Sequence, residues 1–449
     1  MKNTKRRFAF FSFYDHTGIE KHLEDMARTG WMIEHVSNLF WTYRRIEPQK
    51  LHFTVSYYPK ASDFDPIPSQ DQQTFLDFCA QTKWVLACTW FQMQIFYNFE
   101  ANPIPIDTDP TIEVETIHKA CKANYLKAHK LLFIISLILT LLFLSSFISD
   151  TLKLIASPMN FTIGCLSLLL FLISSVELIS YEIWHKKAKK AAEQEIFLET
   201  PSTASFKQYM VGLMILVLAY WIINLIFVKK PFMAGISFAV ILCVYATFFL
   251  TNTIKKYLKR KQISTGTNQL VTLIGSFLIA FVCYGIVLSI SVYVFWEKPV
   301  YDFRFDEEVP LQISDLIDTD YDYLTTMSTD ESIFLEHLEI QHMQGFDDKS
   351  SSNIPDLKYD IYNIKIPIIY EFSKGSLKQQ CIISAFWKGH MVDQDSKPWG
   401  AEEVYRFVSD DGAEKSIFLL CYDKTLVLME CNWEPTTEQM AIIKAKLGH

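Results

Sequence analysis

Five apolar runs dominate the middle of the chain: Leu131–Ser149, Phe161–Tyr181, Tyr209–Val228, Phe232–Leu250 and Leu270–Trp296. About 20 apolar residues suffice for a helix to cross the hydrocarbon core of a bilayer. Lipid offers no partner to a backbone N–H or C=O, so a run of this kind must satisfy its own hydrogen bonds as a helix. The fifth run is long for one crossing and is expected to tilt or to project from the membrane. Of the 449 residues, 50% are hydrophobic and 20% charged, which is too apolar for an ordinary soluble multidomain chain.

Charge divides the chain in the same places. Lys+Arg and Asp+Glu number 11 and 15 in residues 1–118, 17 and 6 in residues 119–296, and 14 and 29 in residues 297–449. Three domains are therefore expected, with boundaries at 118/119 and 296/297. Neither terminal domain has the basic excess that a nucleic-acid partner would want, so direct DNA or RNA binding is not expected. The run Phe8–Tyr14 comes after three basic residues but leads into Asp15 and His16 without a small-residue cleavage site. It reads as a strand, not as a secretory signal.

Orientation is read from basic residues in short flanking loops. Lys119, Lys122, Lys127 and Lys130 precede the first run, Lys186, Lys187, Lys189 and Lys190 come after the second, and Lys255, Lys256, Lys259, Arg260 and Lys261 come after the fourth. The alternate loops hold only Lys153 on one side and Lys229 with Lys230 on the other. A multi-pass protein of the cell membrane is expected, with a cytosolic N-terminus, an extracytoplasmic C-terminus and a tight hairpin at Lys229–Pro231. Trp184 and Trp296 fall at run ends, where interfacial aromatics are expected.

Glu177 is the one acidic residue well inside an apolar run. Such residues are candidates for coupling or transport. Glu177 is also about three helical turns from the Lys186 cluster, close enough to reach the interface or to pair locally. In the fifth run, Ser276 with Ala280 and Gly285 with Ser289 have the spacing that lets helices approach closely, within one chain or between copies. No paired broken helices or ladder of intramembrane charges mark the runs as a secondary transporter.

Residues 1–118 contain a sequence repeat at an offset of 53 (residue 23 to residue 76). LEDMARTGWMI from Leu23 aligns with LDFCAQTKWVL from Leu76. Each copy reads as an amphipathic helix, a Trp opening a strand, and an aromatic hairpin. Strands are expected at Phe8–Phe13, Phe40–Arg45, His52–Tyr58 and Gln92–Phe99, in a mostly antiparallel sheet with two helices on one face. Trp31 and Trp84 are read as equivalent core anchors of the two copies, in preference to an aromatic ligand cage. From Thr108, an N-cap at Thr108 or Asp109 and Pro110 in the first turn begin a helix that should run on into the membrane.

The strings FAFFSFYDHTGIEKHLEDMARTGWMIEHVS, FWTYRRIEPQKLHFTVSYYPKASDFDP and QMQIFYNFEANPIPIDTDPTIEVETIHK resemble the bacterial family numbered 2812 among domains of unknown function. That family similarly joins a Phe-rich strand to a helix ending in Gly-Trp and an aromatic hairpin ahead of membrane spans. The resemblance covers about the first quarter of the chain and assigns no catalytic residue. Because such domains occur beside PadR-like repressors, it implies a regulatory membrane role and a repressor-like cytosolic protein partner.

The acidic C-terminal region is expected to be a β-rich α+β domain with strands at Ile361–Phe372, Lys378–Trp387, Glu414–Cys421 and Thr425–Asn432. A final helix should start at Pro435–Glu438 behind a polar cap. Asp318–Asp322 begins like a calcium loop but has Tyr323 in place of the turn glycine and Thr329 in place of the closing Glu. His337 and His342 lack the i, i+4 spacing of a helical zinc pair. Cys381, Cys421 and Cys431 allow one disulfide from Cys381 or three free thiols. HExxH, GxSxG and P-loop motifs are absent, so no catalytic residue, metal site or cofactor is expected.

The function expected is a non-enzymatic membrane sensor or regulator, joining an extracytoplasmic domain to a cytosolic protein-binding one. The alternative is a component of, or accessory to, membrane transport or export. A weaker third reading is an enzyme of lipid or cell-wall metabolism using surface carboxylates. Membrane lipid and a second copy of the chain are further expected partners.

Overall fold

Both terminal regions alternate apolar and polar residues, and in each the alternation is used to build antiparallel sheet. The computed structural model describes residues 3–37, 40–228, 231–297, 309–319, 323–344, 354–383 and 389–448. The Lys229–Lys230 link, Asp320–Asp322 of the acidic turn, and the Cys381 and Trp296 side chains lie outside what is described. The chain divides into two compact units. One is Met1–Leu139, Leu166–Leu216 and Ile241–Tyr284; the other is Thr140–Cys165, Val217–Val240 and Gly285–His449. This division differs from the three domains read from composition, because each long apolar helix contributes residues to both units.

The first unit begins with β1 (Thr4–Phe8), α1 (His16–Arg28), β2 (Trp31–His35), β3 (Phe40–Arg45), β4 (His52–Tyr57), α2 (Gln70–Gln81), β5 (Val85–Trp90) and β6 (Met93–Asn98). In place of the single sheet expected there are two antiparallel sheets of three strands, ordered β1-β3-β2 and β4-β6-β5. Met32 pairs with Arg44 and Ile33 with Tyr43, and a bulge then shifts His35 onto Thr42. Val85 pairs with Tyr97 and Leu86 with Phe96, and a bulge shifts Cys88 onto Ile95. Each pair of the second set lies 53 positions beyond its counterpart in the first (32 to 85, 44 to 97). Both helices end on a left-handed residue, Gly30 at φ 83° and Lys83 at φ 65°. This is the conformation that closes a helix, and it normally favours glycine.

The first strand lies earlier than expected. Residues 4–8 pair with β3, while Phe11 and Phe13 leave the sheet. Phe11 meets Trp41 at a ring distance of 5.4 Å. Phe13 meets Tyr57, Trp90 and Tyr125 at 5.3–5.8 Å. Tertiary aromatic packing outweighs the strand propensity of the Phe-rich run.

α1 presents Ile19, Leu23, Met26 and Ala27 to the core, the spacing of one helical face. That core takes in Tyr43, Val55 and Ile95 of both sheets, and also Tyr181, Trp184 and Ala188 from a membrane helix. α2 packs over a separate small cluster of Cys79, Trp84 and Phe96.

The next helix is capped by Asp109, which accepts from the Thr111 and Ile112 N–H groups, with Pro110 directly after it. It runs as α3 (Pro110–Ala120), a π turn (Cys121–Tyr125) and α4 (Leu126–Ser149). After the short α5 (Thr151–Ala156) come α6 (Pro158–Ala192), α7 (Ala204–Phe227), α8 (Pro231–Arg260) and α9 (Thr265–Glu297). Five helices are thus long and apolar enough to cross a membrane, and the protein is multi-pass. In α6, 33% of the apolar window is buried, against 0% in α8 and α9. α6 is therefore the span most enclosed by the rest of the protein.

In the second unit, β7 (Tyr323–Glu331), β8 (Leu335–Gln344), β9 (Leu357–Ile364), β10 (Gly389–Gln394), β11 (Glu403–Ser409), β12 (Glu414–Cys421) and β13 (Thr425–Cys431) form one sheet. Its order is β10-β11-β12-β13-β9-β8-β7, and every pairing is antiparallel. Side chains alternate between two cores, as strand geometry requires. Tyr359, Phe418, Leu420 and Val427 face one, which α11 (Thr437–Leu447) covers with Ile443 and Leu447. Tyr362, Leu419, Cys421 and Leu426 face the other, covered by Leu377 of α10 (Tyr370–Ile383) and by Leu152 and Ala156 of α5.

Two expected strands are corrected. Ile361–Phe372 ends as a strand at Ile364, and residues 378–383 of the expected Lys378–Trp387 strand are helical. Pro367 has no N–H for a sheet ladder; it begins a 3-10 turn that leads into α10. Ser373 and Leu377 are both buried four apart, a helical spacing that the mixed run KQQCII concealed. The expected final helix is present, with Thr436 and Gln439 forming its capping box.

Candidate functional site

Glu177 occupies the first unit's most constrained polar position. It sits on α6 and is 1% exposed, so its charge must be met by protein groups. Oε1 accepts from Ser12 Oγ at 3.0 Å and Thr203 Oγ1 at 2.6 Å, and pairs with Lys207 Nζ at 3.0 Å. Oε2 accepts from the Tyr125 hydroxyl. Four elements converge on one carboxylate: the loop before α1, the π turn, α6 and the start of α7.

Each partner is placed by a local cause. The π turn inserts one residue into the α3–α4 helix and rotates α4 relative to α3, a device often found at functional sites. Ser12 lies where the chain has left the first sheet. Thr203 directly precedes α7, and Lys207 is one turn into it. The incoming 199–203 segment is further held by Thr200, whose hydroxyl meets Asp15 Oδ1 and Thr17 Oγ1 at 2.8 and 2.7 Å.

A cavity of about 350 Å³ opens beside this carboxylate, a size within the range of small-molecule sites. Phe11, Phe13, Trp90, Phe91 and Tyr125 supply its aromatic wall. Its polar lining comes from Ser12, Gln92, Asn124, His129, Glu177 and Lys207. Gln92 is 3% exposed and donates through Nε2 to the Ala61 carbonyl at 2.8 Å, while its Oε1 has no partner.

A second set of contacts joins the N-terminal domain to α8 and α9. Asp63 pairs with Lys255, and Asp65 accepts from Thr265 at 2.6 Å. Asn268, 0% exposed, donates to the Phe64 carbonyl at 3.3 Å.

A third set lies under α1. His16 Nε2 meets Glu113 of α3 at 3.0 Å, and Glu20 accepts from the Val55 N–H at 2.8 Å. Burial raises Glu20 to about 7, against the opposing effects of His16 and of the Val55 hydrogen bond. For His16, burial alone would favour the neutral ring. The hydrogen bond to Glu113 and the charges of Glu20 and Glu113 outweigh it and leave its pKa raised.

The remaining residues singled out from sequence fall elsewhere. Trp84 is buried and donates to the Ile104 carbonyl at 2.8 Å. Trp31 is only half-buried, with Lys5 and Arg45 each 5.0 Å from its ring, so the two tryptophans are not equivalent anchors. Ala280 and Ser289 are exposed, Ser276 is half-buried, and a Cβ on Gly285 would meet nothing within 4 Å. Gly285 therefore draws no helix close among the described residues. Gly164 does draw helices together, since a Cβ there would lie 1.8 Å from Phe143.

His337 pairs with Asp360 at 2.9 Å and His342 with Thr325 at 2.9 Å. Five positions apart on a strand, they face opposite sides of the sheet. Cys421 and Cys431 are free. Among the described residues no group of three metal-ligating side chains comes together.

Sequence reasoning missed Lys207, Tyr125, Ser12 and Gln92. Lys207 had a signal: a single cation one turn into an apolar helix, opposite in charge to the single intramembrane acid. The other three are ordinary residues until the fold assembles them.

No curated protein and no solved structure matches the chain. Residues 15–129, from the start of α1 to the first turn of α4, match the family described as a protein of unknown function, DUF2812, and the chain thus carries a domain of that family.

Proposed function

We propose that the protein is a non-enzymatic membrane regulator whose N-terminal domain lies in the cytosol, binds a soluble protein and is coupled to the spans. The C-terminal domain then lies outside the membrane and meets the stimulus. The observation that carries this reading is the Glu177 node. One buried carboxylate ties the N-terminal domain's first loop to three membrane helices, so those helices cannot shift without straining the domain's attachment.

Three further features support it. Asp63, Phe64 and Asp65 bind α8 and α9 in the same unit, extending the attachment to all five spans. The three basic clusters flank the N-terminal domain's side of the helices, as a cytosolic face requires. The shared strand order, the bulged registers 53 positions apart and the paired left-handed helix ends favour one helix–hairpin unit used twice. A duplicated unit of this kind offers two related faces for a protein partner.

The test uses the full chain in its native membrane. Chemical cross-linking from Lys50→Cys should capture one defined soluble partner, and Glu177→Gln should change its yield. An impermeant thiol reagent should label Asp410→Cys, but not Lys50→Cys, in intact cells. Labelling of Lys50→Cys from outside would reverse the orientation. No partner, with no transcript altered on deleting the N-terminal domain, would end the regulatory reading. The transport alternative requires substrate flux that is lost in Glu177→Gln. A carboxylate already held by four donors has little capacity left for a carried ion, which favours coupling.

A further inference from the structure

The coupling role makes no use of the cavity beside Glu177. We propose that it is a binding site for an uncharged amphiphile, with an apolar, preferably aromatic, body and a hydrogen-bond-donating hydroxyl head. The body is specified by the rings of Phe11, Phe13, Trp90 and Phe91, which form one wall. Aromatic rings reward planar apolar groups beyond simple area burial.

The head is specified by two acceptors. Gln92 lines the cavity, is 3% exposed and leaves Oε1 unpartnered. A buried orphan acceptor is costly, and a ligand hydroxyl would offset that cost. His129 also lines the cavity, and its Nδ1 lies 3.0 Å from the Tyr125 carbonyl. A carbonyl can only accept, so Nδ1 carries the proton, and Nε2 of the neutral ring is a second acceptor.

Charge is specified by the groups already satisfied. Both oxygens of Glu177 are occupied by protein donors, so a cationic ligand finds no free carboxylate. Lys207 is matched by Glu177 at 3.0 Å, so an anion finds no unneutralised cation. An uncharged donor is what remains. Aromatic alcohols from the aqueous phase and diacylglycerols from the bilayer both have this chemistry.

The experiment measures binding of 2-naphthol to the full chain in lipid nanodiscs by equilibrium dialysis. It is run beside 2-methoxynaphthalene, which keeps the rings and loses the donor, with empty nanodiscs as the partition control. We expect saturable one-site binding of 2-naphthol and about tenfold weaker binding of the ether, the equivalent of one hydrogen bond. Gln92→Leu should weaken 2-naphthol about tenfold and leave the ether unchanged. Competition by dioctanoylglycerol would assign the site to a lipid, and its failure to compete would assign it to a soluble alcohol. Equal affinities for naphthol and ether, or uptake no greater than in empty nanodiscs, would overturn the proposal. The ether comparison needs no variant, so a Gln92→Leu protein that fails to fold leaves the test intact. Failure of the coupling role would not alter any of these binding results.

Discussion

The two sheet-forming domains are fastened to neighbouring helices by opposite kinds of chemistry. In the first unit the junction centres on a buried charge pair, Glu177 with Lys207, whose side chains are only 2% and 14% exposed. In the second the buried part of the junction is apolar and neutral. Leu152 and Ala156 of α5 are fully buried in the sheet's second core, and Asn224 of α7 accepts from the Ile333 N–H at 2.9 Å. The second unit's charged fastening, Lys153 with Glu339 at 2.5 Å, is half exposed, at 43% and 24%. An apolar plug holds through area and loses strength in proportion to what is removed. A buried ion pair holds conditionally, since loss of either partner strands the other. The first junction therefore has the sharper response to change.

Lys207→Met should disturb this contrast most. Stranding a buried carboxylate costs about 3–5 kcal/mol, so thermal unfolding of the first unit in micelles should move down by many degrees. Adding Glu177→Leu to the same chain should recover most of the loss. A neutral Lys207→Met would show that water reaches the pair.

Next in size is Leu152→Ala, which removes a fully buried side chain and should cost the second unit about 2–5 kcal/mol. Limited proteolysis should then cleave the C-terminal domain faster and leave the N-terminal fragment pattern unchanged. Parallel loss of protection in both would remove the distinction between the junctions.

The third prediction concerns pH. Glu20 is raised from 4.5 to about 7, so the folded state holds that proton more tightly than the unfolded chain. The resulting stabilisation is full below about pH 4.5 and fades as pH rises to about 7, by about 3 kcal/mol in total. His16 is also raised, so its contribution likewise fades as pH rises through its folded value. Denaturant titrations of the first unit should show stability falling from pH 5 to pH 8, with Glu20→Gln flattening the curve. A profile rising over that window would contradict the assignment. The smallest effect is expected for Lys153→Met, under about 1 kcal/mol, as for other exposed pairs; a loss comparable to that of Lys207→Met would erase the contrast.

Residue pattern and structure agree where one physical rule acts alone. α1, the helix from Pro110, the strand Glu414–Cys421 and the final capped helix all stand where their signals placed them. They part where two signals compete. Phe8–Phe13 has strand propensity, yet its rings bury better against Trp41, Tyr57 and Tyr125. KQQCII alternates loosely enough to pass for a strand, yet it is the last part of the helix that follows the Pro367 turn. Trp31 and Trp84 match in sequence, but different neighbours leave one half-buried beside two cations and bury the other.

Residue pattern alone was enough to specify the five spans, their approximate ends and a sheet-forming domain at either end of the chain. Lipid admits no unpaired backbone group, so a sufficiently long apolar run has only one conformation open to it. The partners of Glu177 and the position of the cavity came from tertiary packing. Ser12, Gln92, Tyr125 and the Thr203–Lys207 pair are common residues in separate parts of the chain. Each acquires a role only when two sheets, a π turn and two helix ends bring it to the same few ångströms.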